Sequence, residues 1–101
     1  MRDLLSRSAK LYVDDHGTLF NQHLVDLLQV QSMLRVAEMN AVVSLAREES
    51  RGGHYRTDFP KMDNERFFQH SLVRRGKDSE PVLDKLEVTV EDIMPEAEVK
   101  Y

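Results

Sequence analysis

The sequence contains no cysteine, which excludes disulfides, thiolate zinc sites, iron–sulfur ligation and cysteine nucleophiles together. Glycine is scarce, and Gly17, Gly52, Gly53 and Gly76 fall in neither a G-x-G-x-x-G nor a P-loop pattern, so no phosphate cradle is encoded. No H-E-x-x-H occurs, and His16, His23, His54 and His70 are scattered without a ligand spacing, so no metal site is expected. A G-x-S-x-G nucleophile turn is also missing, and Ser50 beside Arg51 reads as a helix-end residue. No uncharged apolar run approaches the roughly 18 residues that a spanning helix requires. Charges at Arg2, Asp3, Arg7 and Lys10 mean that the start does not read as a signal peptide. Acidic residues outnumber basic ones, 18 against 14, so nucleic acid is not an expected partner.

What is present is a chain of 101 residues, 41% hydrophobic and 32% charged, with a net charge of −4. That length suits a single domain over 1–101, in which 1–49 read as helical, 50–68 as a loop with a short helix, and 69–101 as a hairpin and tail. Leu4, Leu5, Ser8, Leu11 and Tyr12 recur at helical spacing and predict a helix over 2–14, ended by Asp14, Asp15 and Gly17. Thr18 is placed to cap a second helix. From Leu19 to Glu49 there is no glycine or proline, and Gly52-Gly53 follows as a stop signal.

That second helix carries two apolar faces. Leu27, Val30, Leu34, Ala37, Ala41 and Leu45 share one. Val25, Leu28, Val36, Met39, Val43 and Ala46 share the other, nearly opposite. A surface helix has one stripe; a helix with two belongs in the middle of a layered arrangement. At 1.5 Å per residue it is about 46 Å long, against a globule diameter of roughly 34 Å for this chain length. Leaving Val25, Leu28, Val36, Met39 and Val43 in water forgoes about 8–15 kcal/mol, so a covering surface is expected from the C-terminal third, from another copy, or from a larger protein. The fold class expected is mainly α, a helical bundle with one long central helix, followed by a loop and a small C-terminal β-hairpin.

Beyond the helix, Asp63 can cap a short helix through Phe68, with Phe67-Phe68 as core. Residues 69–75 and 82–90 read as two strands about the turn Arg75–Pro81. The segment Arg51–Phe59 is the main functional candidate: Arg51, His54, Arg56 and Asp58 put forked donors, an imidazole and a carboxylate on a short backbone, suited to contacts with carboxylates or carbonyls. The same residues equally suit a loop held by its own salt bridges.

The run LAREESRGGHYRTDFP, from Leu45 to Pro60, resembles the A-x-R-x-E-S-R-G-x-H-x-R-x-D-x-P signature in the C-terminal domain of succinate dehydrogenase and fumarate reductase flavoprotein subunits. FNQHLVDLLQVQSMLRVAEMNA upstream, and MDNERFFQHSLV and LDKLEVTVEDIMP downstream with Tyr101, are similar to further blocks of that family in the same order. Lys61-Met62-Asp63-Asn64 departs from its usual arginine and paired aspartates. The resemblance implies a parent flavoprotein whose flavin and capping domains lie upstream. That parent would interconvert succinate and fumarate using FAD and pass electrons to an iron–sulfur subunit. The parent's flavin-binding and catalytic groups map to none of these positions, so no catalytic, cofactor-binding or metal residue is expected in this chain. Its expected part is to buttress the flavin domain and meet the partner subunit, with Arg51, His54, Arg56 and Asp58 as contact candidates. The resemblance implies a cytoplasmic location, or a peripheral one on the inner face of a membrane within a complex. L-aspartate oxidase shares the central loop and is the related alternative, while a free-standing helical dimerisation protein is the alternative outside the family. Because both helix faces cannot be covered internally, the chain by itself is expected to self-associate.

Overall fold

A computed structural model describes residues 2–93; Met1 and residues 94–101, which include Pro95, most of the acidic tail and Tyr101, lie outside the described residues. The elements in chain order are α1 (Arg2–Ser8), α2 (Gln22–Ala46), β1 (Gln69–Arg75) and β2 (Pro81–Glu87). The architecture is therefore mainly helical, with an antiparallel two-stranded hairpin. The chain divides into two compact units, Met1–Ala41 and Val42–Tyr101, each considered by itself.

In the first unit α1 is shorter than the 2–14 expected. The Ser8 hydroxyl turns back to donate to the Leu5 carbonyl at 2.8 Å, and the amides of Lys10 and Leu11 bond three residues back, to Arg7 and Ser8. These tight bonds close the last turn. The cap of α2 is Asn21 rather than Thr18: its Oδ1 accepts the Leu24 amide at 3.0 Å. Its Nδ2 also donates to the carbonyls of Asp15 (2.8 Å) and Gly17 (3.0 Å), tying the preceding loop to the helix start. Phe20, at φ 50°, breaks the helical run, so Leu19 and Phe20 stay outside α2 and exposed. Asn21→Ala is expected to cost about 1 kcal/mol, within the usual range for a lost N-cap, read as a lower thermal midpoint. Asn21→Asp, which keeps the acceptor for the Leu24 amide but loses both Nδ2 donations, is expected to recover only part of it.

Helix α2 has 25 residues, none of them buried. On the first apolar face Leu27, Leu34 and Ala37 are half-buried. On the second, Val25, Leu28 and Val36 are exposed, Leu28 at 54% and Val36 at 60%. Among the described residues neither face is fully covered: Val30 and Leu45 of the first are exposed too, while Met39 and Val43 of the second are half-buried. No helix among the described residues is long and apolar enough to cross a membrane.

In the second unit the hairpin register runs from Gln69↔Glu87 to Arg75↔Pro81. Strand β1 matches the expected 69–75, while β2 stops at Glu87 instead of 90. The reversal is closed by Gly76 N–H to Glu80 C=O at 2.8 Å, with Ser79 at φ 63°. The short helix expected after Asp63 is a single turn. Asp63 Oδ1 accepts the amides of Glu65 (3.0 Å) and Arg66 (2.9 Å), and its carbonyl accepts Phe67 N–H. Phe67 is the buried large hydrophobic among the described residues, and Phe68 beside it is half-buried.

Candidate functional site

The loop after α2 is organised from inside by two polar residues, Glu49 and Ser50, both at 0% exposure. Glu49 Oε1 accepts from Arg47 Nε at 2.6 Å and Arg51 Nε at 2.9 Å. Its Oε2 accepts from Arg51 Nη2 at 3.0 Å and from the Asp63 amide at 2.9 Å. Two cations and a backbone amide therefore saturate one buried carboxylate, which is what a charge needs to be held away from water. Ser50 does the same with neutral groups. Its Oγ donates to the Phe59 carbonyl at 2.7 Å and accepts the Arg56 amide at 2.9 Å. The Ser50 N–H donates to the Lys61 carbonyl at 3.0 Å, closing the neck of the loop.

The loop's tip is a two-residue reversal, with the amides and carbonyls of Arg51 and His54 bonded to each other at 2.8 and 3.0 Å. Gly52, at φ +57°, supplies the left-handed residue this reversal needs. The expectation that Gly52-Gly53 ends the long helix is therefore corrected: α2 stops six residues before Gly52, because Arg47 to Ser50 are committed to the loop.

The four contact candidates lie in this loop, with distinct partners. Arg51 forks onto Glu49 and reaches Asn64 Oδ1 at 2.7 Å. Arg56 pairs with Asp58 through Nε at 2.9 Å and stacks over Phe59, 4.8 Å from the ring centre. Its Nη1 donates to the carbonyls of Leu45 (2.8 Å) and Arg47 (3.0 Å), covering acceptors left over at the end of α2. The His54 ring lies 3.5 Å from the Arg47 carbonyl. Asp58 keeps a side chain 57% exposed, while that of Arg56 is 18% exposed. Hydrogen bonding from Arg56 holds the Asp58 carboxyl below its ordinary range, and the same bond raises the Arg56 guanidinium.

Reading the segment as a row of contact residues left out Arg47, Glu49 and Ser50. Arg47 Nη1 donates to Ser71 Oγ at 2.8 Å and to the Gln69 carbonyl at 3.2 Å, and Nη2 donates to the Phe67 carbonyl. One side chain thus joins the loop to the root of β1. The available signal was the E-S-R run itself: an acid flanked by Arg47 and Arg51 at two-residue spacing can be gripped from both sides once the chain leaves the helix.

Burial pushes the Glu49 carboxyl up, but the hydrogen bonds from Arg51, the Asp63 amide and Arg47, together with the Arg47 charge, outweigh it and hold the group below the ordinary value of 4.5. A group depressed in the folded state stabilises above its unfolded pKa and loses that contribution as pH falls through the folded pKa. The urea midpoint of the second unit is therefore expected to fall as pH drops below about 4.5, and to fall less steeply in Glu49→Gln.

Gly52-Gly53 turns the chain back on itself instead of opening a helix onto a pyrophosphate, and the guanidinium groups of Arg47, Arg51 and Arg56 are spent on carboxylates and carbonyls. The described residues also contain no group of three or more His, Asp or Glu placed to hold a metal ion.

A long helix, a loop gripped through its own E-S-R run and a two-stranded hairpin define a mainly helical domain. The chain belongs to the family described as fumarate reductase flavoprotein C-term, which matches residues 1–101. It is 44% identical over 90 residues to the fumarate reductase flavoprotein subunit of Mycobacterium tuberculosis, covering 89% of this chain and 15% of that protein. It is 31% identical over 94 residues to the succinate dehydrogenase flavoprotein subunit of Rickettsia bellii, covering 93% of this chain and 16% of that protein. A solved mutant of E. coli quinol fumarate reductase FrdA superposes with a TM-score of 0.86 at 28% identity, over 94% of this chain and 17% of that one. The chain thus spans about a sixth of the length of the relatives it matches.

Proposed function

We propose that this chain works as the non-catalytic C-terminal domain of a flavoprotein subunit that interconverts succinate and fumarate with FAD and passes electrons to an iron–sulfur subunit. The family match across the whole sequence carries this reading. Two observations support a mechanical role: Arg51 and Arg56 are turned onto partners in the loop and at the end of α2, and Val25, Leu28 and Val36 on the second face of α2 are exposed. In the parent protein α2 takes its place in a helical bundle, with that face against the flavin-bearing part. Arg51 and Arg56 stiffen the loop from behind, and His54 and Asp58 present its outer edge to the flavin domain or the partner subunit. The parent is peripheral, on the inner face of a membrane or in the cytoplasm.

Isolated from its native host, the polypeptide carrying this sequence is expected to contain flavin and to oxidise succinate or reduce fumarate in a dye-linked assay. A flavin-free native product inactive in both directions overturns the proposal. The 101-residue chain alone is expected to be colourless, and to sediment above monomer mass at micromolar concentration through the uncovered α2 face. Leu28→Glu with Val36→Glu is expected to return it to a monomer.

A further inference from the structure

We infer that Glu49 makes the loop 51–63 and the root of the hairpin a single opening unit, a strap released as a whole when that carboxylate loses its charge. The argument rests on which segments one side chain holds. Glu49 binds the end of α2 through Arg47, the loop tip through Arg51 and the loop's far end through the Asp63 amide. Arg47 carries the link onward to the Gln69 carbonyl and the Ser71 hydroxyl of β1.

The two arginines are largely covered, with side chains 14% and 25% exposed. Remove the negative charge and both guanidinium groups lose the counter-charge they share. Among the described residues no other carboxylate is placed to replace it. The Asp63 carboxylate is turned to the amides of Glu65 and Arg66, and Glu48 pairs outward with Arg66 at 2.9 Å. Asp58 is taken by Arg56, and the His54 ring faces the Arg47 carbonyl. The route by which Arg47 and Arg51 regain water is for the strap to lift, and Arg47 then releases β1 at the same moment. Loop closure and strand registration, distant in sequence, are in this way made one event.

Native-state hydrogen exchange on the full 101-residue chain tests this. In the wild type, the amides of Arg51, His54, Arg56 and Asp63 in the strap and of Phe67 and Gln69 at the hairpin root are expected to share one opening equilibrium. In Glu49→Gln all six are expected to accelerate together, on the order of 100-fold, while amides in the first unit such as Leu24 and Val25 change by less than about 3-fold. Arg47→Lys, which keeps the charge but loses the fork, is expected to accelerate Phe67 and Gln69 while sparing Arg51 and Asp63. In an acid titration of the wild type, the Glu49 side-chain carbon and the six amides are expected to shift at one common midpoint. Acceleration confined to Arg51 and Asp63 in Glu49→Gln overturns the inference, as does equal acceleration in both units. Separate acid midpoints for strap and root overturn it even if Glu49→Gln does not fold.

Discussion

Removing the ring of Phe67 is expected to cost the second unit about 3–5 kcal/mol, the range for truncating a buried aromatic to alanine. The size of the effect follows from how little else is buried: among the described residues Phe67 is the buried large hydrophobic, while Ser8, Glu49 and Ser50 are the buried polar ones. The ring also lies beneath two guanidinium groups, Arg66 at 5.1 Å and Arg47 at 5.7 Å from its centre. Cation–π contacts of this kind contribute about 0.5–1 kcal/mol each at exposed sites. Phe67→Leu is therefore expected to recover most of the packing loss but not the π contribution, giving a thermal midpoint between wild type and Phe67→Ala. Equal midpoints for the two variants would show that the ring's faces contribute nothing beyond volume.

Ser50→Ala is the second large effect, and it works through groups left behind. The alanine fits, but the Phe59 carbonyl loses its donor and the Arg56 amide loses its acceptor, both in part-buried bonds to a side chain with no solvent exposure. Leaving two such groups unsatisfied costs about 2–6 kcal/mol together, seen as a lower urea midpoint for amides of the loop and hairpin. A substitution at exposed Thr57 in the same loop is the control, with an expected change within about 0.5 kcal/mol. If Ser50→Ala proved as mild as the Thr57 change, the hydroxyl would be a bystander and the loop would be held by Glu49 alone.

Most of the element order was legible from local pattern. The hairpin's first strand was located to the residue, because alternation and the turn at Arg75–Pro81 are local signals. The helix ends were not. Asn21 displaced Thr18 as the cap because its amide can also bond the carbonyls of Asp15 and Gly17, a gain visible only once the preceding loop has its shape. At the other end, helical propensity continues through Arg47-Glu48-Glu49, yet the helix stops at Ala46. Four hydrogen bonds to Glu49 and two to the Ser50 hydroxyl outweigh the few tenths of a kcal/mol per residue that propensity offers.

The site was half legible. Arg51, His54, Arg56 and Asp58 were recognisable as a charged constellation on a short loop. Whether they faced outward or inward was undecidable from spacing, because the partners lie far along the chain: Asn64 for Arg51, and the carbonyls of Leu45 and Arg47 for Arg56. Glu49 and Ser50 were overlooked as organisers because a buried acid is recognised by what surrounds it, and sequence shows only neighbours.

The amino-acid order alone determined that α2 would be a helix with two oily sides, since periodicity and apolar area are properties of the residues themselves. It also determined the family, through the ordered blocks around LAREESRGGHYRTDFP. Only the tertiary structure decided that the loop's arginines are consumed internally and that a single carboxylate joins helix end, loop and strand. Hydrogen bonds and ion pairs depend on distances of about 3 Å, and those distances exist only after residues 20 positions apart have been brought together, as Arg47 and Phe67 are here.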